Sequence, residues 1–189
     1  MRGFGLRGFG LAILLAIGVL FGAPIATAQD VPLPDGYRQS DYDAPVPDHV
    51  PGAITVGDDA TYALWRSGRV AFIDVMPNLA RPKSLPKNVV WHGRSRQSVP
   101  GAIWLPDVGF GTLDAAAGAQ LDAGLIAATG GDRAAPILFL CRADCWMSWN
   151  ASKRAVERGY TTVFWYPDGS TGWTFWDWPT KRLKVFESE

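Results

Sequence analysis

Cys141 and Cys145 are the only two thiols of the chain, and they stand within ten residues, Cys141-Arg-Ala-Asp-Cys-Trp-Met-Ser-Trp-Asn150. Two sulfurs this close can bridge, work as a nucleophile and its resolving partner, or supply soft ligands to a metal. Their setting bears on the choice. Ile137 to Leu140 is an apolar run bounded by Pro136 and reads as a short buried strand that stops at Cys141. Arg142, Ala143 and Asp144 make a tight loop, with Asp144 as the N-cap of a helix that runs from about Cys145 to Arg158 and stops at Gly159. Cys141 would thus face the positive end of a helix, with Cys145 in its first turn. Backbone N–H groups and the helix dipole there favour the thiolate.

As a plain staple the pair does little, since closing so short a loop is worth only about 2 kcal/mol on chain-entropy grounds. Redox or sulfur chemistry, a structural bridge and metal binding all stay open on these residues. A metal would have to draw on Met147 or on His49 and His92, the only histidines, which lie far off in sequence. The sequence therefore offers no metal ligand set. A C-x-x-C-H haem attachment is absent, because Trp146 stands after the second cysteine. A phosphatase-like C-x5-R loop is absent too, because position 147 is methionine.

The start of the chain is expected to be removed. Arg2 and Arg7, an apolar run from Leu11 to Phe21 and Ala26-Thr-Ala28 form a secretory signal over residues 1–28. The uncharged stretch 8–28 is long enough for an uncleaved anchor, but Pro24 and the small residues after it favour cleavage and no stable membrane insertion. The remaining 161 residues suit one domain and carry 16 basic against 18 acidic side chains, which gives no support to nucleic-acid binding. Export to a periplasm would place the two thiols in an oxidising compartment.

The elements that must position the sulfurs follow in order. Residues 29–54 form an arm rich in proline (Pro32, Pro34, Pro45, Pro47, Pro51), with Tyr37 and Tyr42 to lay it on the domain spanning 55–189. Asp58 or Asp59 caps a helix that ends at Gly68, and Val70 to Met76 is a strand with Asp74 near its carboxyl end. Residues 81–96 are basic and turn-rich and read as a surface excursion around a Val89-Val-Trp91 strand. Val-Pro-Gly-Ala-Ile occurs at both 50–54 and 99–103 and reads as two similar turns into strands. Residues 113–129 are helical, with Leu121, Leu125 and Ile126 for one face. Thr161 to Tyr166 is a further strand, 167–169 a turn, and 172–179 closes the core. Strands alternating with helices predict an α/β fold, a mostly parallel sheet with helices on both faces and its crevice at the carboxyl ends of the strands, where Asp74 and Cys141 fall.

Six of the nine tryptophans follow Cys141. Trp149 and Trp165 read as core. Trp146, next to Cys145, is placed to wall a thiol pocket or to join an aromatic crevice for a partner. Lys153 and Arg154 read as a solvated helix face, with charge support for a thiolate as the alternative.

This order of elements, with strand Ile73-Asp-Val75, turn Pro100-Gly-Ala102, the strand ending in Cys141, its loop and helix, then Gly159-Tyr160, resembles the rhodanese domain over residues 55–179. The resemblance implies a persulfide-carrying Cys141 beneath loop amides and a structural acid at Asp74, with Met76 in place of the arginine usual there. The ten-residue cysteine–tryptophan string, together with Pro34-Asp-Gly-Tyr-Arg38, Tyr42-Asp-Ala-Pro-Val-Pro47 and Tyr166-Pro-Asp-Gly169, is similar to the exported PQQ-dependent catabolism-associated CXXCW motif proteins, although three residues separate the cysteines here. That resemblance implies a periplasmic setting and a PQQ-dependent alcohol dehydrogenase or cytochrome as partner, with no cofactor in this chain. Two functions are expected: a thiol protein in which Cys141 attacks and Cys145 resolves, or a non-catalytic accessory module that binds a quinoprotein, cytochrome or cofactor through a tryptophan-rich crevice.

Overall fold

The computed structural model describes residues 31–78, 84–89 and 96–187, so the signal segment at 1–28 lies outside the described residues. The elements in chain order are β1 (Ile54–Thr55), α1 (Asp58–Ser67), β2 (Ala71–Asp74), β3 (Arg96–Ser98), β4 (Ile103–Trp104), α2 (Ala115–Thr129), β5 (Ile137–Leu140), α3 (Trp146–Glu157), β6 (Val163–Tyr166), α4 (Gly169–Phe175) and β7 (Lys181–Leu183). Five strands pair in parallel in the order β1-β6-β5-β2-β4. β3 and β7 form a separate antiparallel pair. This is the α/β architecture expected.

Alternation along the central strands assigns their two faces. Ile73, Ile137, Phe139 and Val163 pack against Leu121 and Leu125 of α2 and Ala151 and Ala155 of α3. Phe72, Leu138 and Leu140 face the other way, into a cluster with Trp173 of α4 and Tyr62, Leu64 and Trp65 of α1. β5 is buried at every position, as a strand covered on both faces must be. Ile126, expected on the packed face of α2, is 57 % exposed, because Leu121 and Leu125 already fill the contact with the sheet. Gly124 of the same helix sits so close to Leu105 that an added Cβ would lie 2.4 Å from Leu105 Cδ1.

The repeated Val-Pro-Gly-Ala-Ile segments are the same device used twice. In each the alanine N–H returns to the valine carbonyl, 3.0 Å for Ala53 to Val50 and 3.1 Å for Ala102 to Val99. Gly52 and Gly101 carry φ of 79° and 86°. Each turn feeds an edge strand, β1 on one side of the sheet and β4 on the other.

Several local expectations are corrected. Gly57 caps α1, and Asp58 and Asp59 occupy its first turn, where carboxylates suit the dipole. Residues 169–175 form a short helix whose Trp173 is buried while Phe175 and Trp176 are 76 % and 51 % exposed, so only part of 172–179 closes the core. Val89 is an exposed bend and not a strand, and Val90 and Trp91 lie outside the described residues. Arg96, placed by the sequence in a surface excursion, starts β3 instead.

Candidate functional site

Cys141 follows directly on β5, and Cys145 immediately precedes α3. The two are joined in a disulfide with Cα atoms 6.2 Å apart. Asp144 does not cap the helix: it takes a left-handed backbone (φ 52°), and Cys145 is the N-cap, with no side-chain capping bond. The five residues between β5 and α3 include this one left-handed position, which Asp tolerates better than most residues. The sequence thus marked the correct loop but shifted its cap by one position.

Other chain segments hold the loop from three sides. On one side, the Ser170 N–H donates to the Cys141 carbonyl at 3.0 Å, and the Ala143 N–H donates to Thr171 Oγ1 at 3.2 Å. Gly169 approaches so closely there that a Cβ on it would lie 2.8 Å from Arg142 Cα. From below, Arg96 donates to the same Cys141 carbonyl at 2.9 Å and to Ser170 Oγ at 3.1 Å. On the third side lies the arm. Tyr42 O accepts from the Trp146 N–H at 2.9 Å, Asp43 bridges to Cys145 in antiparallel fashion, and the Asp43 carboxylate pairs with Arg142.

Asp74, at the end of β2, is 0 % exposed. Its carboxylate accepts from Arg96 Nε at 2.6 Å, from the Ser98 hydroxyl and from the Met76 N–H at 2.9 Å. Burial pushes this carboxyl above its ordinary value, and the guanidinium, hydroxyl and amide pull against that. Asp74 therefore does not touch the sulfurs. It anchors Arg96, and Arg96 anchors the carbonyl of Cys141. Arg96 is the residue the sequence reading missed, and the signal lay in Asp74: a buried strand-end acid requires a cation, and Met76 cannot supply one.

A cavity of about 540 Å³ opens beside the bridge, lined by Tyr42, Asp43, Met76, Pro77, Phe110, Arg142, Cys145 and Met147. Cys141 does not line it. That sulfur is fully buried, 3.6 Å from Met76 Sδ, which corrects the expectation of a reachable Cys141 thiolate at the crevice mouth. Trp146 does not wall the cavity either. It is 2 % exposed, stacks edge-on with Trp149 and donates Nε1–H to Pro45 O at 3.0 Å beneath the arm. Trp149, Trp165 and Trp173 are likewise buried, so these four tryptophans form core and not a crevice, while Trp176 is half exposed away from the cavity lining. Arg154 is buried and donates to the carbonyls of Val108 and Gly111, with Tyr37 stacked on its guanidinium at 4.0 Å, so it is neither a solvated residue nor a support for the sulfurs. Among the described residues no three His, Cys, Asp or Glu side chains converge as a metal site would require.

No protein-family model and no curated protein matches the chain. Solved structures do. Thiosulfate sulfurtransferase from Pseudomonas aeruginosa aligns with 70 % of this chain at 15 % identity and a TM-score of 0.46, and the chain spans only 21 % of that protein's length. The polysulfide-sulfur transferase homodimer from Wolinella succinogenes aligns with 71 % of this chain and 82 % of its own at 16 % identity and a TM-score of 0.45. A human single-domain sulfurtransferase aligns with 65 % of this chain and 96 % of its own at 22 % identity and a TM-score of 0.40.

Proposed function

We propose that the protein is a rhodanese-like thiol protein whose Cys141–Cys145 pair works by persulfide or thiol–disulfide chemistry. One observation carries the reading: a disulfide stands at the carboxyl end of a parallel sheet with one of its two cysteines, Cys145, in a cavity wall. Open α/β sheets place their chemistry at that end. A staple gains nothing from a cavity at its sulfur, whereas exchange chemistry requires one. By helix geometry the first-turn N–H groups of α3, apart from the Trp146 N–H held by Tyr42 O, point back toward the loop, an arrangement that would favour a thiolate once the bridge is reduced.

The proposal extends, on the sequence resemblance alone, to a periplasmic location and to a PQQ-dependent alcohol dehydrogenase or cytochrome as partner. The quinone would be the partner's, not this chain's. Osmotic-shock fractionation and cross-linking in cells oxidising an alcohol test that extension.

The chemistry is tested on the reduced protein with thiosulfate, and separately with polysulfide, by intact mass. One added sulfur atom, removable by cyanide, is expected on a cysteine. A protein that takes up no sulfur and forms no mixed disulfide with a small thiol in its folded state would refute the reading.

A further inference from the structure

We infer that Cys145, and not Cys141, is the sulfur at which an external thiol opens the bridge, and that the adjoining cavity selects a thiol with an uncharged, apolar body. This deepens the function proposed above and rests on it. A thiolate opens a disulfide by approaching one sulfur from the side opposite the other, so cover decides which sulfur is attacked. Cys141 is 0 % exposed and lies behind Met76, itself a wall residue of the cavity, whereas Cys145 forms part of the wall directly. The difference in exposed area is small, since Cys145 itself is 3 % exposed; the difference in access is the cavity.

The step balances without an outside oxidant. The incoming thiolate forms a bond to Cys145 Sγ, the bond between the cysteines breaks, and the electron pair leaves on Cys141 Sγ as a thiolate. The attacking sulfur is oxidised to the disulfide level and the Cys141 sulfur is reduced. A second thiolate then attacks the substrate sulfur of the mixed disulfide, releases Cys145 as a thiolate and leaves a free substrate disulfide. This order reverses the attacking and resolving roles expected from the sequence.

The walls set the substrate class. Met76, Pro77, Phe110, Met147 and the ring of Tyr42, which meets Phe110 edge-on at 5.3 Å, give the cavity an apolar lining. Among the described residues its two charged side chains, Arg142 and Asp43, pair with each other. An anionic thiol would have to compete with Asp43 for the guanidinium of Arg142 and lie near the Asp43 carboxylate, while an apolar body would bury its surface without disturbing the pair. The volume is that of a small-molecule site.

The test uses the oxidised mature chain without denaturant. It is exposed briefly to benzyl mercaptan or to 2-mercaptoethanesulfonate, quenched in acid, alkylated and mapped by peptide mass. The benzyl group is expected on Cys145 and the alkyl label on Cys141. Benzyl mercaptan should react faster than the sulfonate by about tenfold or more, after each rate is divided by its rate with a small-molecule disulfide. The benzyl group on Cys141 with Cys145 alkylated, or equal corrected rates, would overturn this inference and leave the proposed function standing. No mixed disulfide at either cysteine in the folded protein would overturn both.

Discussion

Burying a carboxylate at Asp74 is costly unless cations and donors meet it, and Arg96, Ser98 and the Met76 amide do so. Removing the cation leaves an uncompensated charge in the core, so Arg96→Ala should destabilise the protein by about 3–5 kcal/mol in urea unfolding. Asp74→Asn, which keeps the shape and removes the charge, should cost less than Arg96→Ala. A second ionisable residue gives a pH prediction. Burial and then the hydrogen bond to Glu157 push the Tyr37 phenol up to about 12, from an ordinary value of 10.0. A raised acid contributes stability fully present below the unfolded value and lost as pH rises through the folded one. Between about pH 10 and 12 the protein should therefore lose stability that Tyr37→Phe does not lose, with the phenolate followed by ultraviolet absorbance. Equal alkaline curves for the two proteins would refute the assignment. Asp74 was legible in the sequence as a strand-end acid; its partner was not, because Arg96 lies 22 residues on, in a stretch whose charge and turns read as surface.

The arm is the element that completes the site. Asn150 of α3 accepts the Arg38 N–H at 3.0 Å and donates to the carbonyls of Arg38 and Gly109 at 3.0 and 2.9 Å, which ties the arm and the loop before α2 to one side chain. Asn150→Ala should cost about 1–3 kcal/mol by stranding these buried groups. Deleting residues 31–45 should uncover Trp146 and Trp149 and remove Tyr42 and Asp43 from the cavity. The expected readouts are a red-shifted tryptophan emission and faster reaction of the bridge with small thiols; unchanged emission would mean the arm does not cover these rings in solution. Gly169→Ala should disturb the cysteine loop directly, because φ is 51° there and the new Cβ would meet the backbone of residues 141 and 142. The arm's docking was foreshadowed by its two tyrosines. The burial of Trp146 was not, because position beside Cys145 says nothing about which way a ring points once the chain crosses over it.

Across the whole molecule, the parallel sheet and its helices were legible because apolar runs, glycine stops and alternating element types agree with one another. The two Val-Pro-Gly-Ala-Ile turns were legible for the same reason, and the structure adds that they begin the opposite edges of one sheet. What the sequence could not provide was the depth of each sulfur. Cys141 and Cys145 differ by four positions, yet one is enclosed beside Met76 and the other lines a cavity that draws on the arm, the segment after β2 and the loop before α2. Such a difference comes from contacts between distant segments and leaves no local pattern. The measurement that bears most directly on the account is titration of the oxidised, folded protein with dithiothreitol, with both thiols counted by alkylation and mass while circular dichroism follows the fold. The account predicts complete reduction of the bridge with the native spectrum retained. A bridge that stays oxidised until the spectrum collapses would show a structural staple and contradict it.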